Sequence, residues 1–298
     1  MKKRDAFSSI HPFAELIFFV YVLVITMLVM HPAVICISLV SAAAYSFYLT
    51  GKKALKLQLF GVLPVILLTA LINPLFNHAG QTTLFYLPNG NPVTLEAVLY
   101  GLAAAGMFAS VIVWFSCFNK VMTSDKLIYL FGKIIPALSL LFSMVLRFVP
   151  RFTNKIKETA NAQVCIGRDP KSGNIIKRAL CGMRILSITV TWALESAVNT
   201  ADSMKSRGYG HGRRTAYSTY RLDMRDTLTL AAMIITGALF IITFFTGSTY
   251  IRYYPSVRMN AVNAFSVLGF CAFFLFCNLP MIINITEDIR WQALQSRI

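Results

Sequence analysis

The feature that most constrains this chain is a set of long apolar runs almost free of charge. A helix needs about 20 mostly apolar residues to cross the hydrocarbon core of a bilayer. Six runs meet that requirement: 13–30, 33–50, 57–76, 97–118, 228–251 and 261–286. Glu15 is the one charged residue in the first, and the other five contain no Asp, Glu, Lys or Arg. Inside lipid every backbone N–H and C=O must find a partner within the chain, so such runs fold as helices. The first two meet at His31-Pro32, which implies a tight helical hairpin. A further run, 134–146, is too short to span and belongs at the membrane surface or in a packed core. The expected fold is therefore all-α: a polytopic membrane protein with about six transmembrane helices. Composition agrees, because 13% of the residues are charged against about 25% in a soluble domain. The first run lacks a small-residue cleavage site and leads straight into the second, so it reads as a retained span.

The formal charge of +16 could suggest nucleic acid, but its placement argues for a membrane. With a cytoplasmic N-terminus, 26 of the 28 Lys and Arg fall on the inside, and 18 of them lie in 119–225. The exceptions are Arg252 and Arg258, and the outer loop 77–96 has none. Positive charge kept inside sets orientation, which implies a multi-pass protein of the cell membrane with both termini cytoplasmic. No readable nucleic-acid module accompanies the charge. The expected organisation is 1–118 with four spans, 119–225 as a cytosolic region, and 226–298 with two spans.

The basic region carries helical periodicity. Leu138, Leu141, Val145, Phe148, Phe152 and Ile156 recur at three and four, with Arg147, Arg151, Lys155 and Glu158 on another face. Pro150 is expected to kink this helix or weaken one bond. Over 184–206 a second stripe runs through Leu186, Val190, Leu194, Ala197, Ala201 and Met204. Ser187, Thr191, Glu195, Asn199, Asp202 and Ser206 lie opposite. The segment GRDPKSGN at 167–174 reads as a turn between the two helices. Such helices could lie on anionic lipid or dock a soluble partner. The second polar face holds Glu195, Asp202 and small hydroxyls rather than a dense basic stripe, which favours docking. That helix ends in Ser206-Arg207-Gly208. Glycine here can simply stop the helix, with arginine complementing its dipole. Alternatively Arg207, held at a fixed helix end, reaches a carboxylate of a partner through its planar fork.

Several segments carry a family resemblance: HPFAE at 11–15, INPLFNHAG at 72–80, NPVTLEAVLYG at 91–101, LRFVPRF at 146–152 and ADSMKSRGYG at 201–210. Through them nearly the whole chain resembles the transmembrane T component of energy-coupling factor (ECF) transporters, a class of ABC importers for vitamins and metal ions. The resemblance implies two long cytosolic coupling helices whose ends, in short arginine motifs, dock in grooves of two ATPase subunits. It also implies a small substrate-binding membrane subunit, the S component, as a partner. It assigns Ser206, Arg207 and Gly208 to one docking end. At the other end the family run Ala-Gln-x-Ala-Arg-Gly is replaced by Ala162-Gln163-Val164-Cys165-Ile166-Gly167. Ile166 stands at the arginine position, so either Arg168 substitutes from beyond the glycine or this end docks through apolar contact. The family often has a basic residue where Glu15 stands.

No GxxxxGK[ST] loop is present, so ATP hydrolysis is expected in partner subunits, and the chain is expected to need no cofactor and no metal. Its six cysteines, at 36, 117, 165, 181, 271 and 277, show no metal spacing and read as buried inert thiols. Against a membrane enzyme, His11, His31, His78 and His211 are scattered and read as caps or interface residues, and the outer loop offers only Asn77, His78 and Glu96. A self-sufficient carrier would place charges within its spans. The permease of another ABC importer would dock through one coupling loop rather than two long helices.

Overall fold

The computed structural model describes residues 5–86, 91–134, 136–168, 174–210, 220, 222–261 and 263–296. Two of its helices begin with the same device. At α1 (Pro12–Leu28) and α2 (Pro32–Thr50) a histidine caps the first turn, and a proline follows where a missing N–H costs nothing. The Nδ1 atoms of His11 and His31 accept from the amides of Phe13 and Ala33, each at 3.2 Å. Gly51, at φ +58°, ends α2. The chain then re-enters a helix at once, through α3 (Lys52–Leu57), a π-helical turn (Gln58–Val62) and α4 (Leu63–Phe76). The residues between the expected spans 33–50 and 57–76 are thus helical from Lys52 on, because lysine and leucine are good helix formers whether or not they lie in lipid.

A short hairpin of β1 (Thr83–Tyr86) and β2 (Pro92–Thr94) leads into α5 (Leu95–Val121). Then follow α6 (Ser124–Ile134), α7 (Pro136–Cys165), α8 (Ile175–Ser206) and α9 (Met224–Phe245). A second hairpin, β3 (Ile251–Arg252) with β4 (Arg258–Met259), precedes α10 (Ala264–Gln295). The expected span 228–251 stops early, since Gly247 at φ +72° turns the chain out of the helix. The span expected over 261–286 instead continues to Gln295. Among the described residues, five helices are long and apolar enough to cross a membrane, namely α2, the continuous helix 52–76, α5, α9 and α10. Apolar α1 has 17 residues.

The chain divides into two compact units, 1–127 with 220–298, and 128–219. The first holds the apolar helices. Although α1 and α2 are joined tightly, they do not pack along their length as a hairpin. Instead α2 lies chiefly on α5 and α10, and α1 on α5. Lipid is as apolar as a leucine side chain, so helix association here depends on close packing and interhelical hydrogen bonds. Both are present. Phe18 stacks on Phe276 at 5.3 Å and meets Trp114 edge-on, while the Trp114 indole donates to Ser38 Oγ at 3.0 Å. Tyr21 donates to the Gly237 carbonyl at 2.8 Å. A Cβ at Gly269 would collide with the Thr243 side chain, so only glycine lets α9 and α10 approach there.

One end of this unit is tied by a buried polar cluster. Lys126, at the start of α6, sits 2.6 Å from Glu15 Oε1, 2.8 Å from Oε2 and 3.2 Å from the Val121 carbonyl. Glu15 has no solvent exposure. Beside it, Asp5 accepts from Asn284 at 2.7 Å and from Tyr45 at 3.3 Å, and burial raises its carboxyl above the usual range despite both bonds. Elsewhere in this unit the loops after α4 and α9 carry their own bonds. Glu96 accepts from the Thr82 amide at 3.3 Å, Asn77 donates to the Tyr254 hydroxyl at 2.9 Å, and His78 Nδ1 donates to the Pro92 carbonyl at 3.1 Å. These three residues therefore hold loops together.

Three cysteines are buried, Cys117, Cys181 and Cys277, whereas Cys36, Cys165 and Cys271 are exposed. The expectation of six buried thiols is corrected to that extent. Cys36 and Cys271 lie on apolar helices, where an outward face meets lipid rather than protein.

Candidate docking site on the long amphipathic helices

The second unit is built on α7 and α8, of 30 and 32 residues. Most of the apolar run 134–146 is the first part of α7, which starts at Pro136 and continues through Pro150 to Cys165. The stripe expected over 184–206 belongs to a helix that begins nine residues earlier, at Ile175. Asn174 caps that helix. Of the turn expected at 167–174, residues 169–173 lie outside the described residues.

The two helices run antiparallel. Phe152 meets Trp192 at a right angle, with centroids 5.7 Å apart, and Lys155 lies over the same indole. Toward the α7 end, Thr159, Gln163, Cys181, Ile185 and Thr189 are buried. There Cys181 Sγ donates to the Arg168 carbonyl at 3.3 Å. From the Phe152–Trp192 contact α7 runs 13 residues to Cys165, and α8 runs 14 residues to Ser206. At 1.5 Å per residue each arm is about 20 Å long, and the arms point in opposite directions.

Both arms end in the same backbone motif. At the α8 end, Gly208 has φ +78°, its amide donates to the Lys205 carbonyl at 3.0 Å, and the Tyr209 amide donates to the Met204 carbonyl at 3.0 Å. At the α7 end, Gly167 also has φ +78°, its amide donates to Val164 at 2.9 Å, and the Arg168 amide donates to Gln163 at 2.9 Å. This pair of bonds, with a left-handed residue just past the helix, is a Schellman motif. An added Cβ at either glycine would meet nothing within 4 Å. The requirement for glycine is therefore conformational alone.

The shared motif aligns the two ends residue by residue. Ile166 occupies the last half-helical position, as Arg207 does, and Arg168 occupies the position of Tyr209. Ser206, Arg207, Gly208, Ile166, Gly167 and Arg168 are all exposed. Ile166 keeps 66% of its surface. Just inside that end, the buried Gln163 side chain has a carbonyl oxygen without a hydrogen-bond partner.

On the α8 side of the crossing the helices part around an open groove of about 680 Å³. Leu140, Met144, Phe148, Trp192 and Met204 give it an apolar floor. Arg147, Arg151, Glu195 and Arg207 bring charge, and Ser196, Asn199, Thr200 and Ser203 bring small polar groups. Periodicity had placed Arg147 and Arg151 on one face of α7, but not on a groove shared with Arg207. The Lys126–Glu15 pair was not visible either, since its members lie 111 residues apart. Among the described residues no three metal-ligating side chains come together.

No family model matches the chain. Known proteins do. An energy-coupling factor transporter transmembrane protein of Streptococcus equi is 26% identical over 229 residues, covering 72% of this chain and 80% of the relative. The protein of the same name from Bacillus selenitireducens is 25% identical over 211 residues, covering 67% and 75%. That of Lactobacillus helveticus is 35% identical over 106 residues, a match spanning 35% of this chain and 38% of the relative's length. Apolar helices suited to a membrane, and matches that extend over most of the chain to proteins of one name, lead to one reading: the chain is similar to the transmembrane proteins of energy-coupling factor transporters.

Proposed function

We propose that this chain is the T component of an energy-coupling factor transporter and transmits ATP-driven motion from two ATPase subunits to a small substrate-binding membrane S component, for uptake of a vitamin or a metal ion. The observation that carries this reading is the pair of long amphipathic helices with matching glycine-stopped ends. Arms of equal length on either side of one aromatic contact suit a part that touches two similar partners. When the ATPases close on ATP, the grooves holding the two ends move together, and the helices carry that movement toward the membrane. Region 119–225 is the coupling region in this reading, between transmembrane regions 1–118 and 226–298. It lies in the cytoplasm with both termini, as the distribution of Lys and Arg supports.

The roles of the site residues follow. Arg207 makes charge-assisted, two-pronged bonds to a carboxylate of one ATPase, with Ser206 beside it and Gly208 fixing its direction. Ile166 enters the corresponding groove of the other ATPase through apolar contact, because it holds the position equivalent to Arg207. Gly167 fixes that turn, and Arg168 sits one step past it, at the rim. The chain itself hydrolyses nothing, and recognition of the cargo belongs to the S component.

Affinity purification of the tagged chain from its native membrane, with mass spectrometry, tests the assembly. Two ATPase subunits and one small membrane protein should copurify. Recovery of the chain alone, or with a single periplasmic binding protein, would contradict the reading.

A further inference from the structure

Some cations of the chain are matched within it: Lys126 with Glu15, Arg225 with Glu287 at 3.2 Å, Lys155 with Glu158 at 3.3 Å. The groove between α7 and α8 gathers three that are not. Arg147, Arg151 and Arg207 all line it, and among the described residues none of their guanidinium groups makes an ion pair or hydrogen bond. Glu195, on the opposite wall, is likewise without an ion pair there. Three unmatched guanidiniums and one unmatched carboxylate thus face one open cleft over an apolar floor.

We propose that this groove is a docking surface in its own right, which takes an acidic amphipathic segment of the ATPase subunit that receives Arg207. The segment carries at least two carboxylates for Arg147 and Arg151, an apolar ridge for Leu140, Met144 and Phe148, and a cation or amide donor for Glu195. The proposal rests on the docking of the α8 end, because Arg207 lines both surfaces and makes them continuous. The mixed sign of the groove selects this occupant. A lipid phosphate would satisfy the arginines but would be repelled by Glu195, whereas a peptide can match both signs. Arginine rather than lysine on α7 suits a planar carboxylate, since the guanidinium offers two parallel donors. The methionines in the floor adapt to an irregular apolar ridge. On this reading α7 does more than hold its own tip, because its basic face grips the ATPase served by the tip of α8.

The test uses the complete complex of T component, ATPases and S component, reconstituted in bilayer discs with and without anionic lipid. A photoreactive amino acid at Asn199, which lines the groove and is exposed, reports the occupant. The expected adduct lies on an ATPase peptide containing two or more carboxylates, with equal yield in both lipids. Arg147→Glu with Arg151→Glu should lower that yield about tenfold, as loss and reversal of matched charges does. Changing the identified carboxylates to lysine should restore it. An adduct on lipid or on the S component, or a yield indifferent to the charge reversal, would overturn the proposal. Should the reversed variant fail to insert, Arg147→Gln with Arg151→Gln reads the same dependence with the same sign. Arg207→Ala separates the two readings. Normal assembly of that variant with a charge-sensitive Asn199 adduct would remove the tip and leave the groove. Failed assembly with a charge-insensitive adduct in the wild type would do the reverse.

Discussion

At the scale of single residues, two pairings carry opposite lessons. Arg207 is exposed, without an ion pair among the described residues, and held at a fixed point by the backbone. Arg207→Lys should recover only part of the docking lost in Arg207→Ala, because an ammonium lacks the planar fork. Titrating ATPase binding with both variants checks this. At the other end, Ile166→Asp should weaken assembly more than Arg168→Ala, since Ile166 holds the position equivalent to Arg207. Equal defects, or a larger one at Arg168, would mean that the arginine beyond the glycine does the docking. Lys126 is the opposite case, a cation wholly committed inside the protein. Removing it in Lys126→Met leaves the buried Glu15 without its cation, at a cost of about 3–5 kcal/mol. Thermal unfolding in detergent should show a marked loss for Lys126→Met, and Lys126→Met with Glu15→Gln should recover a large part of it. Neither partner announces this role in the sequence. Glu15 reads as a lone charge at the edge of a span, and Lys126 as one more basic residue of a basic region.

At the scale of elements, charge-free runs locate the membrane-crossing helices but not their ends. A bilayer limits how much of a helix must be apolar, and places no limit on how far the helix continues into water. The helix from Lys52 and the one ending at Gln295 both run past the apolar core on Lys, Glu and Arg, which propagate helix well. Other helices end at a glycine of positive φ: α2 at Gly51, α7 at Gly167, α8 at Gly208 and α9 just before Gly247. The glycine-stopped ends of α7 and α8 were legible, because a glycine after a periodic stripe is a local signal. The groove was not, because it depends on the register between α7 and α8. Gly167 and Gly208 stand in open space, so a methyl group there meets only the conformational penalty, about 1–2 kcal/mol. Gly208→Ala should therefore fray the last turn of α8, seen as faster hydrogen exchange at the Gly208 and Tyr209 amides, while core amides of α9 keep their protection. Unchanged exchange would show that the turn does not depend on the left-handed residue. Gly80 differs, since its Cβ would lie 2.6 Å from Glu96 Oε2.

At the scale of the whole molecule, the proposed function gives the apolar unit and the basic pair of long helices different neighbours, lipid and S component for one, ATPases for the other. Orientation is the first consequence. In a background without the native cysteines, a cysteine at Gln81 should react with an impermeant reagent on intact cells and one at Asn161 should not. The reverse pattern would invert the topology. The central claim is that the helix ends pass motion rather than merely hold partners together. Its most direct measurement is ATP-driven uptake by the full complex in proteoliposomes, wild type against Arg207→Ala, with ATP hydrolysis followed in the same vesicles. The account predicts that Arg207→Ala inserts normally and keeps the S component, yet loses uptake by about tenfold or more, the scale of a lost charge pair. Uptake and coupled hydrolysis equal to the wild type would contradict it and reduce Arg207 to the cap of a helix.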